Sequence, residues 1–170
     1  AGASGLISVF SDQASVVSTG GVITMSDGTV INGGGGQVEV IADGRLTLGQ
    51  ITTTDLINVG SFAADVVDAG DTDGADLIAD SVAIAGETGF GTDGAAIETQ
   101  VSTLSGQTDS GDFHISNTGD LTIDTVNLTA NVAALLGFGT ADGIQITDDV
   151  VTDDSGADNI TVTASSALTV

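Results

Sequence analysis

The 170-residue sequence contains no cysteine, proline, tryptophan or tyrosine, and its single basic residue is Arg45. The absence of cysteine excludes disulfide bridges and thiolate metal sites. The absence of proline is typical of strands that are paired on both sides, because proline lacks the N–H that a sheet ladder requires. Aromatic residues make up only 3% of the chain, so we expect a core of Val, Ile, Leu and Ala.

Positive charge is also nearly missing, which limits the partners of the chain. One basic residue stands against 24 acidic residues, and the formal net charge is −23. Such a chain cannot neutralise phosphates, and without Trp or Tyr it has little on which to stack a base. We therefore predict no nucleic-acid partner. No apolar run reaches the roughly 18 residues of a membrane-spanning helix, so we predict no membrane insertion either.

Apolar and polar residues alternate along short runs, which indicates half-buried β-strands. Turn clusters rich in Gly, Asp, Asn and Ser separate these runs. The clearest runs are QVEVIA (37–42), RLTLGQI (45–51), DFHIS (112–116), DLTIDTVNLTA (120–130), GIQIT (143–147) and NITVTA (159–164). Their alternation predicts a set of inward-facing aliphatic residues: Ile41, Leu46, Leu48, Ile115, Leu121, Ile123, Ile144, Ile146, Ile160 and Val162. Helix-forming patterns are weak, and we expect residues 61–69 and 133–136 to be mostly non-helical.

A glycine-framed turn occurs twice, as GFGTDG at residues 89–94 and GFGTADG at residues 137–143. A DSG triplet recurs with nearly the same offset, at residues 109–111 and 154–156. With roughly 20 to 25 residues per coil, a period expected of solenoids, this offset corresponds to two coils. We interpret each GFGT as a corner in which Gly supplies unusual backbone angles and Phe folds over or into the coil.

These features favour an all-β right-handed parallel β-helix, or solenoid, of about seven or eight coils. Persistent Val, Ile and Leu at inward positions suit stacking of like upon like in adjacent coils. A β-sandwich of hairpins is the alternative, because short strands between frequent turns are common to both. We treat residues 1–170 as a single solenoid segment, a repeat unit or internal part of a longer fibre.

The stretch AIETQVSTLSGQTDSGDFHISNTGDLTIDTV at residues 96–126 resembles the repeat regions of large exported bacterial proteins of the filamentous haemagglutinin type. In that pattern a GIGT-like turn leads to a strand, a Gly-rich turn and an "ISNTG-x-LTI" strand. The matching elements here are Gly89 to Thr92, Ile97 to Leu104, Asp109 to Asp112 and Ile115 to Ile123. The resemblance implies a secreted parallel β-helix that serves as an adhesin or cell-surface fibre.

Two clusters of acidic residues suggest a calcium-binding alternative. The first contains Asp68, Asp71, Asp73 and Asp76, with Gly70 and Gly74 between them, and the second contains Asp153, Asp154, Asp158 and Asn159. Calcium takes six to eight oxygen ligands, which closely spaced carboxylates and backbone carbonyls can supply. Neither cluster matches the EF-hand loop or the nonapeptide repeat, and solvated turns remain the other interpretation. Ca²⁺ is thus the one cofactor that the sequence suggests.

Enzymatic catalysis is not expected from this sequence. His114, the only histidine, is predicted to face outward from its strand with Asp112 on the same side. Glycoside hydrolysis uses paired carboxylates, but the basic and aromatic groups that would hold a sugar are almost missing here. We predict instead a structural or adhesive extracellular module of a cell-surface fibre, filament or giant adhesin. Its expected partners are copies of itself or neighbouring repeats end to end, and a host or neighbouring-cell surface.

Overall fold

A computed structural model describes residues 21–70, 74–126 and 161–170 with their side chains, and residues 7–10, 144–146 and 160 by their backbone. The strands are β1 (Ile7–Phe10), β2 (Ile23–Thr24), β3 (Val30–Gly34), β4 (Val38–Ala42), β5 (Leu46–Leu48), β6 (Gln50–Thr53), β7 (Leu56–Ser61), β8 (Val66–Asp68), β9 (Leu77–Ile78), β10 (Ser81–Gly86), β11 (Ile97–Gln100), β12 (Thr103–Thr108), β13 (Phe113–Asn117), β14 (Leu121–Ile123), β15 (Ile144–Ile146), β16 (Ile160–Ala164) and β17 (Leu168–Thr169). Within these ranges no helix is long and apolar enough to span a bilayer. Residues 61–69 form the end of β7, a turn and β8, as expected, whereas residues 133–136 lie outside the described residues.

The strands form three parallel sheets that share one axis. The first runs β1-β4-β7-β10-β12-β14-β17, with β15 also beside β12; the second runs β3-β6-β9-β11-β13-β16; the third is β2-β5-β8. From β1 to β14, consecutive strands of the chain lie in different sheets, and each sheet gains its next strand one turn later. This is a parallel β-solenoid, so the predicted fold type is confirmed. The β-sandwich alternative is wrong, because sandwiches are built of antiparallel sheets.

The described residues contain about four complete turns, so the prediction of seven or eight coils is wrong. The register of the first sheet shows that these turns differ in length. Val38 pairs with Ile57 and Leu56 with Ser81, and the following turns pair Ser81 with Thr103 and Thr103 with Thr122. The next step, from β13 to β16, is much longer, because Phe113 pairs with Ile160. The chain therefore does not use a constant number of residues per turn.

The internal repeat corresponds to one stacking step rather than to the two coils predicted. Strand β14 pairs with β17 through Leu121 and Leu168, with the same offset in the sequence as between Phe113 of β13 and Ile160 of β16. For these two pairs, the equivalent strands of the two copies lie directly beside each other, whereas β15 pairs with β12 and not with its equivalent β11. The second GFGT turn, at residues 137–140, lies outside the described residues.

One apolar cluster fills the inside of the solenoid. It contains the predicted Leu46, Leu48, Ile115 and Leu121, while Ile123 and Val162 are half-buried against it. The prediction that Ile41 faces the inside of the solenoid is wrong. Ile41 is buried, but Val38, Val40 and Ala42 are the members of β4 in the inner cluster, so alternation places Ile41 on the outer face. Both faces of β4 are buried, which hides the period of two. The side chains of Ile144, Ile146 and Ile160 lie outside the described residues.

The first GFGT turn is the corner that the sequence predicts. Gly89 and Gly91 have φ values of +121° and +60°, a region that favours glycine. Between them, Phe90 is fully buried in the inner cluster and contacts Phe113 with ring centroids 5.5 Å apart. Phe90 also bridges Val66 on the preceding turn to Phe113 on the following turn. The turn therefore directs an aromatic ring into the core.

Candidate functional site

Two acidic side chains, Asp76 and Glu98, lie on the outer wall of the solenoid, and Asp68, whose register partner Leu48 belongs to the inner cluster, meets them from the end of its strand. Asp68 ends β8, Asp76 directly precedes β9, and Glu98 lies in β11. Leu77 pairs with Thr99 on the next turn, and both are fully buried. Because neighbouring residues of a strand point to opposite faces, Asp76 and Glu98 project outward on adjacent turns.

The connection between β8 and β9 brings Asp68 to the other two carboxylates. The turn that contains this connection runs from Leu56 to Ser81 and is the longest of the four turns between Val38 and Thr122. Gly70 and Gly74, at its two ends, have φ values of +140° and +83°. The N–H of Gly70 donates a 2.6 Å hydrogen bond to Asp68 Oδ1.

The cluster is compact and partly closed to solvent. One carboxylate oxygen from each of Asp68, Asp76 and Glu98 lies within 4.8 Å of the others. Asp76 is fully buried, and its Oδ2 accepts a 3.0 Å hydrogen bond from the N–H of Glu98. Its other oxygen, Oδ1, has no hydrogen-bond partner among the described residues.

The surroundings of Asp76 disfavour its negative charge. Burial raises the pKa of Asp76 to about 9. The charges of Asp68 and Glu98 and a hydrogen bond with the Glu98 side chain act in the same direction, and the hydrogen bond from the Glu98 backbone opposes them only in part. Burial and like charges both favour the neutral acid. In the absence of a bound cation, Asp76 is therefore protonated at neutral pH.

No basic side chain of the chain serves this cluster. Arg45 forms two hydrogen bonds with Asp65, of 2.7 and 2.9 Å, across adjacent turns. The only other cationic candidate, His114, has its Nε2 3.3 Å from Asp112 Oδ2. Neither of these basic side chains therefore compensates the charge of the three carboxylates.

The predicted metal ligands have different outcomes. Asp68 and Asp76 do come together, as the calcium interpretation requires, but Asp71, Asp73, Asp153, Asp154 and Asp158 lie outside the described residues. Sequence reasoning missed Glu98. It follows Asp76 by one turn of the solenoid, and each of the two acids precedes an inward-facing residue. Applying the coil period to the acidic positions would have found it.

His114 lies on the outer face beside Asp112, as predicted, because Phe113 and Ile115 on either side of it point inward. It is nevertheless only 7% exposed, which the alternating pattern did not indicate. Elsewhere, an open groove of about 510 Å³ follows the corner after the second sheet, where Asp80, Gln100 and Asp120 line it. The groove shares no lining residue with the carboxylate cluster and is a separate feature.

Comparison of the chain with protein-family models, curated proteins and solved structures found no match.

Proposed function

We propose that this chain is a structural segment of an extracellular cell-surface fibre, filament or giant adhesin. In this function the solenoid is extended at its ends by neighbouring repeats or by further copies of itself. The observation that carries the proposal is the apolar core of the described residues, whose side chains are fully buried in the middle of the solenoid and more exposed towards both ends.

At the C-terminal end, Leu168 in β17 pairs with Leu121 in β14. The two residues occupy the same column, yet Leu121 is 1% exposed and Leu168 is 45% exposed. Val162 in β16 is likewise half-buried, whereas its partner Ile115 is fully enclosed. The last described turn therefore offers core side chains to a further turn.

The opposite end shows the same change. Ile23 and Ile31 are half-buried, while their partners one turn inward, Leu46 and Ile51, are 0% exposed. Parallel strands at the end of a solenoid also present unpaired backbone groups that a further strand can use. A head-to-tail contact of this kind is not closed by symmetry and generates an open fibre.

The extracellular and adhesive parts of the proposal are supported by the resemblance of residues 96–126 to haemagglutinin-type repeats. The large single-signed charge also suits a rod that stays dispersed until its ends meet. The surface that such a rod would contact is that of a host or a neighbouring cell. We propose no reaction for the chain.

Light scattering of the full chain at increasing concentration, in buffered saline, tests the proposal. We expect mass to rise with concentration and electron microscopy to show rods of variable length. Leu168→Asp should reduce this association, because it places a charge on the apolar end. Phe62→Asp is the matched control, since Phe62 is 36% exposed on the β7–β8 turn and not on an end strand.

Two outcomes would contradict the proposal. One is a monodisperse monomer at every concentration. The other is association that Phe62→Asp weakens as much as Leu168→Asp does, which would indicate contact between the sides of the solenoids. Because Leu168 is half exposed in the last strand, its replacement should leave the strand content seen by circular dichroism unchanged.

A further inference from the structure

The spacing of the three carboxylates on the outer wall suits one ion. Calcium binds oxygen at about 2.3 to 2.6 Å, so two oxygens on opposite sides of it are about 5 Å apart. The oxygens of Asp68, Asp76 and Glu98 all lie within 4.8 Å of one another. They can therefore contact a single ion without a large rearrangement of the wall.

A second observation points to a ligand at the same place. Asp76 is 0% exposed, and its Oδ1 has no hydrogen-bond partner among the described residues. A buried polar atom without a partner is costly and calls for an explanation, such as a missing ion. The carboxylate that carries this oxygen belongs to the cluster of three, and neither Arg45 nor His114 compensates it, because each lies against another aspartate.

We propose that Asp68, Asp76 and Glu98 bind one Ca²⁺ ion on the outer wall of the solenoid. The ion fastens the β8–β9 connection to the wall and links β11 to the turn before it. Three carboxylates supply three to six oxygens, and backbone carbonyls or water complete the six to eight that calcium takes.

Calcium suits this place better than magnesium does. Magnesium requires nearly ideal octahedral geometry and usually keeps several of its waters. Here the central carboxylate is fully buried, and the ligands come from a strand end, a strand start and a strand interior. Calcium tolerates irregular geometry and accepts carboxylates in one- or two-oxygen contact.

Isothermal titration of the chelator-treated full chain with calcium chloride tests the proposal. Extracellular calcium modules have Kd values of roughly 0.1 to 1 mM, so the titration should extend above that range. We expect one binding event that is lost, or weakened at least about tenfold, in Asp76→Asn and in Glu98→Gln, because each removes a charged ligand. Glu87→Gln is the matched control, since it makes the same change at an exposed position after β10, and it should bind as the unchanged chain does.

A thermal melt supplies the second measurement. A ligand that binds only the folded state raises the melting temperature as its concentration rises. Calcium should do so beyond sodium chloride of equal ionic strength, and this excess should vanish in Asp76→Asn but not in Glu87→Gln. If Asp76→Asn fails to fold, Asp68→Asn replaces it, because Asp68 is only half-buried.

Several results would overturn the site. Calcium binding that persists unchanged in all three substituted chains would assign the ion elsewhere. The absence of binding, or a melt that responds only to ionic strength, would mean that no ion is held. Magnesium binding as tight as that of calcium would contradict the assignment to calcium. None of these results depends on end-to-end association, which is measured separately.

Discussion

Asp76 illustrates how one residue can hold two roles on the solenoid wall. It is fully buried beside two other acids, and without a cation its pKa is raised to about 9 by that burial and by Asp68 and Glu98. In the proposed calcium site, a proton and a calcium ion would therefore compete for the same carboxylate. The metal-free protein should show the effect of the proton alone.

The stability of the metal-free chain should fall as pH rises because of Asp76. The folded state retains a proton that the unfolded state loses above its pKa of 3.8. This stabilisation is complete below about pH 4 and is lost progressively as pH rises towards about 9. Asp76→Asn imitates the protonated acid, so it should gain stability over the unchanged chain as pH rises. The gain near pH 8 should exceed about 1 kcal/mol, since one pKa unit is worth about 1.4 kcal/mol.

Urea unfolding with chelator, followed by circular dichroism at several pH values, measures this difference. Asp93→Asn, which removes one charge from an exposed turn, is the control for net charge. A difference between Asp76→Asn and the unchanged chain that stays constant with pH would contradict the prediction. With calcium present, the unchanged chain should be the more stable of the two, because Asp76→Asn removes a charged ligand of the proposed site.

The burial of polar residues inside the coil is not predicted by the sequence pattern. Asn117 belongs to the turn cluster SNTGD, yet it is 3% exposed. Its Oδ1 accepts hydrogen bonds from Thr99 Oγ1 (2.8 Å) and the Val101 N–H (3.0 Å), and its Nδ2 donates to the carbonyl oxygens of Val101 and Asp120. The partners at 99 and 101 belong to the preceding turn. A sequence pattern shows a polar residue but not the partners that stacking supplies.

At the scale of elements, β12 and β13 pack closely because Gly106 of β12 has no side chain where the ring of Phe113 of β13 lies. A Cβ on Gly106 would lie 2.5 Å from Cζ of Phe113, and a Cβ on Gly86 would lie 2.8 Å from Cε2 of Phe90. Each ring thus occupies the space that a glycine on the first sheet leaves free. The two rings contact each other at 5.5 Å between centroids and continue the column from turn to turn.

Gly106→Ala should destabilise the solenoid by about 1 to 3 kcal/mol, because overpacking a close-packed core forces the Phe113 ring to move. Urea unfolding measures the loss. Gly94→Ala is the matched control, since nothing lies within 4 Å of a Cβ there, and it should change stability little. Phe113→Leu replaces the ring by a smaller side chain. In the Phe113→Leu background, Gly106→Ala should therefore reduce the free energy of unfolding by less than it does in the unchanged chain. Additive effects of the two changes would contradict the proposed contact.

The elements also show how far the sequence predicts the fold. Alternation and glycine turns identify parallel strands and the Phe90 corner, because both are local properties. The predicted number of coils is too high because the step from Phe113 to Ile160 is much longer than the turns of the first sheet, which are close to the predicted length. Glu98 was missed for a related reason. Glu98 comes close to Asp68 and Asp76 only because successive turns stack. A search for acidic residues within a single loop does not find it.

At the scale of the whole molecule, charge and core act in opposite directions. The inner cluster is continuous across the described turns, while the chain carries 24 acidic residues and one basic residue. Arg45 and Asp65 form an ion pair between adjacent turns, but Arg45 is 59% exposed, and such surface pairs are worth at most about 1 kcal/mol. Repulsion among the remaining carboxylates is therefore largely uncompensated and lowers the stability of the stacked state.

The melting temperature should consequently rise steeply with sodium chloride in the presence of a chelator. The Debye length falls from about 30 Å at 0.01 M to about 8 Å at 0.15 M, so repulsion between charges on turns that are not adjacent is screened first. A gain of about 1 kcal/mol corresponds to roughly 2 to 4 °C for a chain of this size, and we expect a rise of at least that amount. Replacing the exposed Asp80, Asp93 and Asp124 together by Asn should raise the melting temperature at low salt and reduce its slope with salt. A slope that stays the same in this triple variant would show that salt acts on burial of the apolar core and not on charge.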